Sequence, residues 1–157
     1  MKRILYTVSL LLVSCAGAIF AQGTGNGFRW EEKPDYVSLA PGNETENAVG
    51  IFYNESTEYL YNPEGELEMI HTFHRRIRLC TDDAVNGFNK LSVSLSDVIE
   101  VVDTKARVIK PDGRTVDFNK ENIRDVTDAE SRDNYRIFAI DGIEKGDDLE
   151  YVIIRRM

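Results

Sequence analysis

The side chains that could do chemistry in this chain are few: two histidines, Cys80 beyond the first apolar run, an arginine on an apolar stripe, three spaced tyrosines and two acidic clusters. His71 and His74 lie three apart in a segment that alternates apolar and polar residues. Along an extended strand, side chains i and i+3 point to opposite faces, so the two imidazoles cannot grip one metal ion. His71 falls on the stripe of Leu67, Met69, Phe73, Ile77 and Leu79 and reads as a hydrogen-bonded histidine in or beside the core. His74 falls with Glu66, Glu68, Thr72, Arg76 and Arg78 and reads as a surface residue. Cys80 follows the basic run Arg75, Arg76, Arg78, whose charge would lower a thiol pKa. A thiol nucleophile also needs a base held by a third group, and the sequence offers none, so Cys80 reads as a structural thiol.

Arg75 shares the stripe of Phe73 and Ile77. A desolvated guanidinium there is a candidate for capturing a carboxylate or another anion; the plainer reading is a stem laid on apolar surface with its head at the sheet edge, or an ion pair with a loop acid. Tyr53, Tyr59 and Tyr61 recur at period two, the arrangement of a sugar-stacking platform and equally of ordinary cross-strand pairs. The acids Asp125, Asp128, Glu130, Asp133 and Glu144, Asp147, Asp148, Glu150 lack the ligand spacing, central glycine and terminal glutamate of a calcium loop and read as solvated loops. Gly23, Gly25 and Gly27 follow no strand and open no helix, which argues against a phosphate loop. No catalytic, cofactor-binding or metal residue emerges. The candidate interaction residues are Arg75, Tyr53, Tyr59 and Tyr61, with Leu149, Tyr151 and Ile153 of the last strand.

The elements that must position these groups are strands. From Val49 the pattern settles to period two: Val49, Ile51, Tyr53, Thr57, Tyr59 and Tyr61 are expected on one face of a long strand or bulged pair, and Asn62-Pro63-Glu64-Gly65 turns the chain into the strand of His71. Thr81 to Asn89 reads as a polar connection, followed by alternation at Leu91, Val93 and Leu95 and a long strand from Val98 to Lys110. Lys110-Pro111-Asp112-Gly113-Arg114 spells a hairpin turn: proline pre-sets the first corner, aspartate bonds back to the following backbone, and glycine supplies the positive φ. Asn119 to Asn134 is charged, with room for one helical turn near Asn122. Tyr135 to Ile140 and Leu149 to Arg155 supply two more strands. About seven strands, frequent turns and no long 3.6-residue period predict an all-β antiparallel sandwich over 49–157, with 22–48 a flexible or irregular leader that has one short extended piece at Tyr36 to Leu39.

Met1-Lys2-Arg3 and the apolar run Ile4 to Phe20, closing at Ala21, read as a secretory signal and predict an exported protein of a bacterial periplasm or cell surface. Leu12-Val13-Ser14-Cys15 offers a rival, a lipid anchor on Cys15. The run is short for a span and no stop-transfer charges follow it, so no stable membrane span is expected. Removing residues 1–21 takes the net charge from −8 to −10. Such an acidic balance argues against phosphate neutralisation along a nucleic acid and against an anionic membrane face. With Cys15 gone, Cys80 is the single thiol and no internal disulfide can form.

Ala106-Arg107-Val108-Ile109-Lys110-Pro111-Asp112-Gly113-Arg114-Thr115-Val116, then Ile140-Asp141-Gly142-Ile143-Glu144-Lys145-Gly146-Asp147-Asp148-Leu149-Glu150-Tyr151, with the basic alternating strand His71 to Arg78 upstream, resembles an uncharacterised β domain found ahead of transglutaminase-like domains in exported bacterial proteins. In such proteins the Cys, His and Asp of the transglutaminase-like core lie downstream, and none maps onto this chain. The resemblance therefore implies a non-catalytic accessory module, without cofactor, that packs on a transglutaminase-like partner or presents substrate to it. The alternative is a free-standing module for glycan or peptide. Both faces of the final strand are apolar, which suits a strand covered on both sides. If later strands or a neighbouring domain normally supply that cover, the sandwich is truncated at its C-terminal end and Leu149 to Arg155 forms an adhesive edge through which the chain self-associates.

Overall fold

The computed structural model describes residues 28–157; the segment read as a secretory signal, Cys15 and the glycines Gly23, Gly25 and Gly27 lie outside the described residues. Eight strands are present among them: β1 (Ala48–Tyr61), β2 (Leu67–Leu79), β3 (Lys90–Ser94), β4 (Glu100–Ile109), β5 (Thr115–Asp117), β6 (Ile123–Thr127), β7 (Asn134–Ala139) and β8 (Asp148–Arg156). They form two antiparallel sheets, one in the order β1-β2-β8-β4-β5 and the other β3-β7-β6. Ile77, Leu79, Ala106, Val108, Leu149, Tyr151 and Ile153 of the larger sheet pack with Leu91, Val93 and Phe138 of the smaller one. The protein is an all-β antiparallel sandwich, as the period-two pattern predicts.

Both turns form where the sequence places them. Gly65 N–H donates to Asn62 O at 2.9 Å and closes the β1–β2 hairpin. At the β4–β5 turn, Lys110 N–H donates to Arg114 O at 2.8 Å and Gly113 N–H to Lys110 O at 2.9 Å, with Gly113 at φ +83°. That left-handed conformation costs a residue with a Cβ about 1 kcal/mol or more.

Four local expectations are corrected. A bulge between Gly50 and Phe52 inserts one residue into β1, so Tyr53 pairs with Arg75 while Val49 pairs with Arg78, and the two fall on opposite faces. Thr81 to Asn89 holds a helix, α1 (Asp82–Phe88), whose N-terminus is capped by the Thr81 hydroxyl accepting from Ala84 N–H at 3.2 Å. Its seven residues are too few for a 3.6-residue pattern, although Thr81-Asp82-Asp83 is a start signal. Asn119 to Asn134 holds β6 besides a helical turn at Lys120–Asn122. As the outermost strand of the smaller sheet, β6 buries little and shows no alternation to read. No strand forms at Tyr36 to Leu39.

The largest correction concerns β8. It is the middle strand of the larger sheet, paired with β2 along one side and β4 along the other. Leu149 is fully buried in the core, with Tyr151 and Ile153 beside it. The ladder groups of Leu149 to Arg155 are used on both sides, so this segment is no adhesive edge. Cover on both faces is what its apolar pattern predicts, but the cover comes from within the chain.

Candidate functional site

Register converts β2 and β8 into two chemically different faces. Facing the smaller sheet, cross-strand rows place Tyr53 beside Arg75 beside Tyr151, Glu55 beside Phe73 beside Ile153, and Thr57 beside His71 beside Arg155. Phe73 is the hub: Tyr53 meets it edge-on at 5.1 Å and Tyr151 stacks at 5.7 Å between ring centroids. Beyond the tightly packed core these rows open into a cleft of about 230 Å³ between the sheets, lined by Phe73, Tyr151, Ile153 and Arg155 below and by Leu91 to Ser94 of β3 above.

The polar groups here are unevenly paired. His71 Nε2 meets Glu55 Oε1 at 2.5 Å, and Arg155 Nη2 lies 2.8 Å from His71 Nδ1. Tyr53 donates to the other oxygen of Glu55; hydrogen bonds from Tyr53 and then His71 hold the Glu55 carboxyl below its ordinary value. Burial pushes the Tyr151 phenol up, and the charge of Arg75 pulls the other way. Among the described residues, neither Arg75 nor Arg155 forms a salt bridge, and Arg155 Nε is buried with no hydrogen-bond partner. Around one concave surface of an acidic protein, two guanidiniums thus stand without a carboxylate.

The sequence-predicted candidates divide accordingly. Tyr53, Arg75, Tyr151 and Ile153 come together at or beside the cleft. Leu149 is core. Tyr59 and Tyr61 lie further out on β1, largely exposed, opposite Met69 and Leu67. Phe73 and Arg155 escaped the sequence reading because only the β2–β8 register brings them together, and Ser92 and Ser94 carried no signal at all.

The opposite face of the larger sheet, expected to meet solvent, is buried. Arg76 and Arg78 both bind the fully buried Asp148, and Arg107 donates to Glu150 at 2.7 Å. Residues 28–37 lie across them as a strap. Carbonyl oxygens of Phe28, Glu31, Asp35 and Val37 accept from Lys105, Arg107, Arg76 and Arg78 at 2.5–2.9 Å. Trp30 and Tyr36 lie under the guanidiniums of Arg107 and Arg78, at 4.6 and 3.6 Å from ring centroid to Cζ. His74 is therefore no surface residue: its Nε2 is 2.8 Å from Glu150 Oε1, and Phe28 and Phe52 meet its ring edge-on at 4.7 Å. The cluster Glu144 to Glu150 is likewise no solvated loop, since Asp147 binds Lys110 at 2.8 Å and Asp147, Asp148 and Glu150 are all buried. The alternation that separates His71 from His74 holds, and no group of three metal-ligating side chains occurs among the described residues.

Two predictions arise from this face. Burial pushes the Glu150 carboxyl up, but hydrogen bonds from His74 and Arg107 outweigh it and leave the group below its ordinary value of 4.5. A carboxyl depressed in the folded state contributes stability above its unfolded pKa, and that contribution is lost as pH falls through the folded value. Urea unfolding between pH 3 and 7 is therefore expected to show stability falling below pH 4.5. Glu150→Gln should flatten the decline by at most about 1.4 kcal/mol per pH unit; parallel curves for the two proteins would rule this out. For Cys80, burial lifts the thiol above its ordinary 9.0, against the opposing pull of Arg78, so the basic run does not activate it. In protein lacking residues 1–21, an aromatic disulfide reagent at pH 8 should react with native Cys80 roughly tenfold or more slower than with the urea-unfolded chain. Equal rates would show an accessible thiolate.

No protein-family model matches the chain, and no curated protein sequence matches it. A crystal structure of a "putative protease" from Parabacteroides distasonis aligns with 69% of this chain at 18% identity and a TM-score of 0.49. The chain spans 23% of that protein's length, and at this score the likeness carries no argument about activity.

Proposed function

We propose that this chain is an exported, non-catalytic accessory β-sandwich that packs on a transglutaminase-like domain with a Cys, His, Asp core, or presents substrate to it. The observation that carries this reading is the cleft, which offers recognition groups, namely stacked rings, the guanidinium of Arg155 with Arg75 nearby, and a strand edge, and no nucleophile–base pair. Its nearest imidazole, His71, has both ring nitrogens engaged by Glu55 and Arg155. The choice of partner rests on the resemblance of residues 106–116 and 140–151. In the fold these segments are one corner: Lys110 Nζ donates to Gly142 O, Glu144 Oε2 and Asp147 Oδ2, each at 2.8 Å, and Asp147 also accepts from Glu144 N–H at 2.7 Å. The resembling residues are thus fold determinants of a rigid corner, in keeping with a module that supports a neighbouring domain.

The test is calorimetric titration of the chain into an isolated transglutaminase-like domain, taken from an exported bacterial protein in which such a β domain precedes it. Binding at about 100 μM or tighter, or altered peptide turnover, is expected. Neither effect at that concentration would defeat the proposal. The alternative of a free-standing glycan- or peptide-binding module draws on the exposed Tyr59 and Tyr61 for glycan and on the cleft for peptide.

A further inference from the structure

The smaller sheet ends at β3, which pairs with β7 on one side only. Ile140 N–H donates to Asn89 O at 2.8 Å, and Leu95 N–H donates to Asn134 O at 2.8 Å. In an antiparallel ladder residues alternate between bonded and non-bonded pairs, so Asn89, Leu91, Val93 and Leu95 bond to β7, whereas Lys90, Ser92 and Ser94 direct N–H and C=O outward. Nothing among the described residues pairs with these outward backbone groups. The cleft touches the inward-facing Leu91 and Val93 and the outward-facing Ser92 and Ser94 together, which is geometrically available only along the edge of the strand. The open edge therefore borders the cleft whose floor holds Phe73, Tyr151 and Arg155, with Arg75 beside Tyr151.

We propose that this cleft binds an extended peptide that adds as a strand to β3 at Ser92 and Ser94 and directs an acidic side chain, Asp or Glu, toward Arg155 and Arg75. The backbone of Ser92 and Ser94 supplies two donors and two acceptors at the two-residue spacing of an antiparallel neighbour, the mode in which main-chain bonds provide affinity and pockets for alternate side chains provide specificity. Charge selects the side chain. The chain carries net −8, yet the floor carries the Arg155 guanidinium, whose buried Nε bonds nothing, and Arg75 stands beside Tyr151 of that floor; neither has a salt-bridge partner among the described residues. An incoming carboxylate would supply what these donors lack, and charge-assisted bonds to guanidinium are the stronger kind. An acidic peptide is repelled by the molecule at large and welcomed at this cleft, which favours binding in one place.

The inference rests on the reading of the chain as a binding module and narrows it to an acidic, extended segment. The probe is a heptapeptide, acetylated and C-terminally amidated, alternating Thr and Val with Glu at the centre. Titrated into 15N-labelled protein, it is expected to move the amide signals of Ser92 and Ser94, and a central Gln is expected to weaken binding about tenfold. Ser92→Pro removes an outward N–H where an edge strand tolerates proline, so the variant should keep its thermal midpoint and lose binding. N-methylation of the peptide at the residue facing Ser92 should do the same without touching the protein. Equal affinity of the Glu and Gln peptides, binding that requires a free C-terminal carboxylate, or shifts remote from Ser92 and Ser94 would each overturn the proposal. If the peptide fails while the chain still binds a transglutaminase-like domain, this inference falls and the accessory role stands; if the peptide binds and that domain does not, the reverse holds.

Discussion

Asp148→Ala is expected to cost about 3–5 kcal/mol of folding stability, read as a lowered urea midpoint at neutral pH. Asp148 is fully buried at the start of β8 and receives Arg76 from one side and Arg78 from the other, both guanidiniums almost wholly out of solvent. Removing the carboxylate leaves two buried positive charges facing each other, with their remaining bonds going only to the carbonyls of Asp35 and Val37. The cost is that of uncompensated buried charge, which exceeds what the ion pairs contributed over a packed apolar core. Asp112→Ala serves as the contrast. Its carboxylate pairs with Arg114 in solvent at the β4–β5 turn and accepts the Arg114 backbone N–H at 3.0 Å, so the loss should stay at or below about 1 kcal/mol. Equal behaviour of the two variants would mean that the strap does not close over the charged face in solution.

Phe138→Ala is expected to cost a similar amount, about 3–5 kcal/mol, for a different reason. Phe138 is fully buried on β7, the middle strand of the smaller sheet, and meets Phe118 edge-on at 6.0 Å between ring centroids. No backbone ladder joins the two sheets, so side chains such as this one hold the smaller sheet to the larger. Truncation leaves a cavity that the surrounding strands can only partly collapse. Amide exchange in β3, β6 and β7 should accelerate more than in β2, β4 and β8, because the latter keep a paired strand on each side. A loss below about 1 kcal/mol would contradict the packing described.

How much of this could be read beforehand depended on whether the governing interaction was local. Strand alternation, the Asn62–Gly65 turn and the Pro111-Asp112-Gly113 turn depend on φ preferences and on which side of a pleat a residue occupies, and both are written into neighbouring residues. The all-β sandwich, the opposed faces of His71 and His74, and Arg75 as an arginine on an apolar stripe follow from that alone. Short or exposed elements were illegible for a local reason as well: α1 is shorter than two full periods, and β6 buries almost nothing.

Long-range decisions were made elsewhere. The apolar faces of Leu149 to Arg155 announced that the strand must be covered, but only the fold showed that the cover is internal, the smaller sheet on one face and residues 28–37 on the other. The basic face of Arg76 and Arg78 resembled a solvated surface because solvent and buried partners satisfy a guanidinium equally well; Asp148, seventy residues away, and the strap settle which one applies. The cleft is the furthest of these from the sequence. Tyr53, Phe73, Arg155 and the open backbone of Ser92 and Ser94 belong to four strands, and cross-strand register, to which no single segment is privy, brings them to one place. The amino-acid sequence by itself determined the strands, the turns and the alternation of faces, because those are short-range steric facts. Tertiary structure alone decided which charges are buried, which edge is left open and which rings meet, because each of those depends on partners that the chain reaches only by folding.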